Sequence, residues 1–84
     1  MTIEVSDDVG QFIIEVLGER VLQDNQWGGT AHDDLHNHKD WRSYIRYQLR
    51  ADGPFEKRLI KVAALAMAAF ESNRRKHGTD SRQG

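Results

Sequence analysis

The chain has 84 residues, of which 38% are hydrophobic and 30% charged, and it contains no cysteine. A length this close to the lower bound of ordinary domains excludes a multidomain enzyme, and the missing cysteines exclude a disulfide framework and a thiolate zinc site. Twelve Lys and Arg against thirteen Asp and Glu leave a net charge of −1, which gives no overall basic field for coating nucleic acid.

The opening segment MTIEVSDDVG is acidic and polar, unlike a secretory leader, so the expected location is the cytoplasm. Ser6 as N-cap with Asp7 and Asp8 behind it starts a helix, and Val9, Phe12, Ile13, Val16, Leu17 and Val21 recur at three- and four-residue spacing. This predicts an amphipathic helix over about 7–24, weakened at Gly10 and Gly18 by roughly 1 kcal/mol each relative to alanine. Residues 25–39 (NQWGGTAHDDLHNHK) show no sustained period and predict a long loop, the first place to look for function.

Asp40 is the expected cap of a second helix over about 40–51, with Trp41, Tyr44, Ile45 and Leu49 on one face and Gly53-Pro54 as its stop. Pro54 opens a third helix over about 54–77, with Arg74, Arg75 and Lys76 against its negative end and Gly78 as C-cap. Residues 79–84 read as a disordered tail, which leaves 1–78 as a single helical domain. Within the third helix Val62 to Phe70 reads VAALAMAAF, uncharged on every side. Nine residues fall far short of the roughly 20 that span a bilayer, so no membrane contact is expected. Ala64 and Ala68, in a row with Lys57 and Lys61, offer a close-approach face, either to the first helix of the same chain or to another copy. The expected architecture is an all-α, antiparallel three-helix arrangement, assembled as a homo-oligomer.

Candidate chemistry gathers in the predicted loop. His32, Asp33, Asp34, His36 and His38 supply imidazole and carboxylate, a set that transition metals accept, but turn-forming residues around them leave the geometry open, and no resident metal is expected. Asp33 and Asp34 suit a magnesium ion that arrives with a phosphorylated ligand. Trp27 can stack on a base and the amides of Gly28 and Gly29 can face an anion. Arg42, Arg46 and Arg50 repeat at i, i+4, i+8, and with Lys61 they offer donors to phosphate oxygens. The serines sit in no nucleophile-elbow context, and phosphate-loop and dinucleotide fingerprints are missing.

Three strings carry a resemblance: Glu19-Arg20-x-x-Gln23-Asp24-x-x-Trp27-Gly28-Gly29, then His32-Asp33-Asp34-x-His36, then Leu59 to Glu71 (LIKVAALAMAAFE). Over roughly residues 15–76 the chain resembles small phage and prophage proteins related to the MazG-like all-α nucleotide pyrophosphohydrolases. The resemblance implies a helical oligomer that binds a nucleotide through magnesium. Active members carry a Glu-Glu-x-x-Glu cluster on the helix before the alanine-rich one, where this chain reads WRSYIRYQLRAD. Arginines in place of metal-binding glutamates disfavour hydrolysis and favour direct capture of phosphate.

The resulting expectation is a noncatalytic nucleotide-binding protein that sequesters a host signalling nucleotide against antiviral defence, at a site shared between subunits and built from Trp27, Gly28, Gly29, His32, Asp33, Asp34, His36, Arg42, Arg46 and Lys61. One alternative keeps triphosphate pyrophosphohydrolysis with a rearranged metal set drawn from Glu15, Glu19, Asp33, Asp34 and Glu71. Another is a regulator that docks on a host protein.

Overall fold

Four helices account for most of residues 2–77, the part of the chain that the computed structural model describes. Gly78 and the tail lie outside the described residues. In order the helices are α1 (Asp7–Trp27), α2 (Gly29–Asp33), α3 (His38–Arg50) and α4 (Phe55–His77), with no strand among the described residues.

The start of α1 follows the sequence: the Ser6 side chain accepts the Val9 N–H at 3.2 Å, and Asp7 and Asp8 occupy the first turn. The long loop expected over residues 25–39 is corrected. The first helix runs on to Trp27, and Gly28, at φ 98°, closes it in the left-handed conformation while its N–H donates to the Asp24 carbonyl. Gly29 begins a five-residue helix, so the glycine pair is punctuation between two helices. Only Asp34 to Asn37 remain to connect α2 to α3.

The expected cap at Asp40 is also corrected. Asn37 is the N-cap, its side chain accepting the Asp40 N–H at 2.9 Å, and the Asp40 carboxylate accepts the Asn37 N–H at 3.1 Å. This reciprocal box begins α3 two residues early, because Asn competes for the cap as well as Asp does. At the other end Ala51, in extended conformation, ends α3, and Gly53 takes φ 126° in the turn to Pro54.

α4 is the central element: it packs on α1, α2 and α3, whereas α1 and α3 do not pack on one another. The uncharged run of α4 is thereby covered from two sides within one chain. Ala64 and Ala68 are fully buried, so the face that the sequence offered to another copy is occupied by the chain's own helices. Their small side chains let the flanking helices come close. The core is otherwise small, since Val16 and Trp41 are the other buried hydrophobic residues among those described. Ile14, Leu17, Val21 and Leu22 on α1 remain exposed, as do Ile3 and Val5 ahead of it.

Candidate functional site

Because α1 and α3 diverge over α4, a cleft of about 470 Å³ opens between them. Its walls are Glu19, Gln23, Gln26 and Trp27 from α1, His32 and Asp33 from α2, and Trp41, Tyr44, Tyr47 and Gln48 from α3, with Lys61, Leu65 and Ala68 as the floor. Of the residues expected in a site, Trp27, His32, Asp33, His36 and Lys61 line this cleft.

Aromatic rings crowd one end. Trp27 stacks on His32 with centroids 5.9 Å apart, and the His32 and His36 rings meet edge to face at 4.7 Å with their Nε2 atoms 3.2 Å apart. His36 in turn stands edge-on to Trp41 and Tyr44 at about 5 Å. Trp27 is 54% exposed, leaving much of its indole free for a further planar partner.

Asp33 belongs to the same end and is 7% exposed. Its Oδ2 has no hydrogen-bond partner: the Arg20 guanidinium, 3.6 Å away, lies beyond donating distance. Arg20 is divided among three carboxylates, reaching Asp24 at 3.2 Å and Glu71 at 3.3 Å as well. Burial pushes the Asp33 carboxyl above its ordinary value, and the Arg20 charge only partly opposes that. At the opposite end Lys61 donates to Glu19 at 3.1 Å, and Arg58, about one turn earlier on α4, donates to Gln48 at 2.8 Å.

The remaining expected residues lie elsewhere. The Gly28 N–H is spent on the α1 cap, and Gly29 is the first residue of α2. Asp34 faces α4, where Arg75 grips it through Nη2 and Nε at 2.8 and 3.1 Å and the Ser72 hydroxyl donates to it at 2.8 Å. Those bonds hold its carboxyl below the ordinary value. Neither Arg42 nor Arg46 lines the cleft. Arg42 lines a second hollow, a groove of about 640 Å³ between the start of α3 and the end of α4, together with Lys39, Ile45, Phe70, Lys76 and others. Arg42 thus borders the groove, and neither Arg46 nor Arg50 lines either hollow.

The carboxylates of the alternative metal set do not converge, and no group of three potential ligands is assembled among the described residues. Glu15 accepts a hydrogen bond from Gln11, Glu19 holds Lys61, Asp34 holds Arg75 and Glu71 holds Arg20.

Sequence reasoning missed the groove and the glutamines of the cleft. A signal for the groove was present. Residues 2–34 contain eight carboxylates and the single cation Arg20, whereas residues 35–77 contain ten Lys and Arg and four acids. The near-zero net charge conceals this segregation. No family model matches the chain, and comparison with curated proteins and with solved structures finds no match either.

Proposed function

We propose that this chain is a noncatalytic nucleotide-binding protein acting as a homo-oligomer, and that a phage-type role in sequestering a signalling nucleotide is its purpose. The observation that carries the reading is the polarity of the cleft. One end offers an exposed indole, Tyr44 beside His36 and a carboxylate short of donors; the other offers Lys61 with Arg58 behind it. From Lys61 to Ala68 is about 10 Å along the axis of α4, enough for a base, a sugar and one phosphate in line. A purine stacked on Trp27 would turn its N–H groups to Asp33 and its phosphate to Lys61, with Gln23, Gln26 and Gln48 supplying amide donors and acceptors between. Because Arg42 and Arg46 lie outside this cleft, they drop out of the phosphate site in this reading.

The oligomeric part rests on exposed apolar surface. Among the described residues Ile3 and Val5 ahead of α1, and Ile14, Leu17 and Val21 along it, are all exposed, and burial of such side chains drives association.

The test is to equilibrate the protein with a panel of nucleotides, cyclic species included, with and without magnesium or manganese, then denature it and chromatograph what it retained. An intact nucleotide is the expected result, and Lys61→Ala should weaken retention by about 10- to 100-fold, the worth of a charge-assisted hydrogen bond. Release of monophosphate and pyrophosphate would replace capture with hydrolysis, and an empty protein across the panel would remove the nucleotide altogether.

A further inference from the structure

The groove between the start of α3 and the end of α4 has a composition opposite to that of the cleft. Lys39, Arg42 and Lys76 stand around it, Ile45, Ala69 and Phe70 give it an apolar floor, and among the described residues no carboxylate lines it. Asp40, on the same helix end, is engaged by the Asn37 N–H, and Asp34 by Arg75. Lys76 itself reaches the His36 carbonyl, which holds that cation at the edge of the groove. A ligand for this surface has apolar side chains flanked by acids.

The chain contains such a segment. Thr2 to Ser6 precede α1 without helical structure, and Ile3 and Val5 are 76% and 53% exposed. Glu4 lies between them, and Asp7 and Asp8 follow in the first turn of α1. No loop or turn hydrogen bond ties the backbone of Thr2 to Val5 to the rest of the described chain.

We infer that the segment Ile3-Glu4-Val5, with Asp7 and Asp8, docks in the basic groove of a second copy of this chain. Ile3 and Val5 cover Ile45, Ala69 and Phe70, and the acids meet Lys39, Arg42 and Lys76. In its own chain the segment does not fill the groove: Ile3 and Val5 are exposed, and none of residues 2–6 is among the groove's lining residues. Two copies that exchange segments satisfy both grooves at once, closing a symmetric pair.

This inference rests on the oligomeric part of the proposed function and is independent of the ligand. The test is sedimentation of the full chain over a range of concentration and salt, with helicity checked by circular dichroism. Wild type should self-associate, less tightly in high salt. Ile3→Asp with Val5→Asp should weaken association by at least about tenfold. So should two charge reversals made in separate proteins, Glu4→Lys with Asp8→Lys in one and Lys39→Glu with Arg42→Glu in the other.

Mixing the two reversed proteins restores opposite charge at both contacts, and association should return in the mixture alone. A wild type that stays monomeric would overturn both this inference and the oligomeric part of the function. Folded variants that associate as wild type does would overturn the inference alone, as would a mixture that fails to recover. Nucleotide retention, measured separately, reports on the cleft whichever way association falls.

Discussion

His36 and Trp41 are a shared wall with a different hollow on each side. Toward α1 the cleft holds Glu19 and Asp33, and its cation Lys61 is already paired; toward the end of α4 the groove holds Lys39, Arg42 and Lys76 and, among the described residues, no acid. One hollow therefore suits a ligand with a planar hydrogen-bond-donating group at one end and a single anionic group beside Lys61, and the other suits a partner that carries several acids. The contrast teaches that the net charge of a small protein says little about what it binds when its acids and bases fall on different helices. The overall value of −1 is the balance of an acidic α1 against basic α3 and α4.

Removing the wall is the most severe way to break this comparison. Trp41 is buried, stands edge-on to His36 and Tyr44, and is one of four buried hydrophobic residues among those described. Trp41→Ala should cost about 3–5 kcal/mol, which is most of the stability of a domain this small. Urea titration followed by far-ultraviolet circular dichroism should find the variant largely unfolded without denaturant, while Trp41→Phe stays folded. A cooperative transition near the wild-type midpoint for Trp41→Ala would mean that the two hollows do not depend on a common core.

Adjacent aspartates sharpen the comparison, since Asp33 borders the cleft and Asp34 turns to Ser72 on the groove side. Asp34 is held below the ordinary carboxylate value of 3.8 by hydrogen bonds from Arg75 and Ser72. Its stabilising effect is thus complete above 3.8 and is lost as pH falls through the lowered value. Asp33 is raised by burial, so its charged form carries a penalty at neutrality that is relieved as pH falls through the raised value. Thermal melts between neutrality and about pH 3 should show Asp34→Asn lowering the melting temperature at neutral pH and flattening the acid limb. Asp33→Asn should raise the melting temperature at neutral pH and leave a steeper acid limb. Parallel behaviour of the two variants would contradict the opposite environments. Ser72→Ala, which removes a fully buried hydroxyl that bonds both the Asp33 carbonyl and the Asp34 carboxylate, should cost about 1 kcal/mol by the same melts.

These contrasts explain which features the sequence disclosed. Ser6 with Asp7 and Asp8 announces α1 locally, and the uncharged run from Val62 to Phe70 announces a helix covered on more than one side. Both are properties of neighbouring residues. Gly28-Gly29 misleads because the same pair suits a loop or a junction between helices, and only the Asp24 carbonyl behind it decides. Asp34 with Arg75, and Asp33 with Arg20, depend on how α2 lies against α1 and α4, a matter of packing between distant segments. Trp27, His32 and His36 meet because the Gly28 junction before α2 and the turn after it bring the end of α1 and the connection to α3 against the His32 ring. Arg42, Arg46 and Arg50 all fall on α3, but their spacing carries no information about which flank of that helix faces the cleft.

The smallest expected effect separates the folding of one chain from its association. Gly18 lies in the middle of α1, and a Cβ built there meets nothing within 4 Å, so no contact among the described residues accounts for the glycine. Alanine restricts the unfolded backbone and favours the helix, so Gly18→Ala should stabilise the folded monomer by about 0.5–1 kcal/mol. The added methyl lies among Ile14, Leu17 and Val21, the exposed row that another helix would have to approach. If association uses the segment ahead of α1 and the basic groove, as inferred above, sedimentation of Gly18→Ala should match wild type while its melting temperature rises. A variant that is more stable yet associates more weakly would place a close helix contact on α1 itself, because a methyl that is free in one chain would then be crowded by the second.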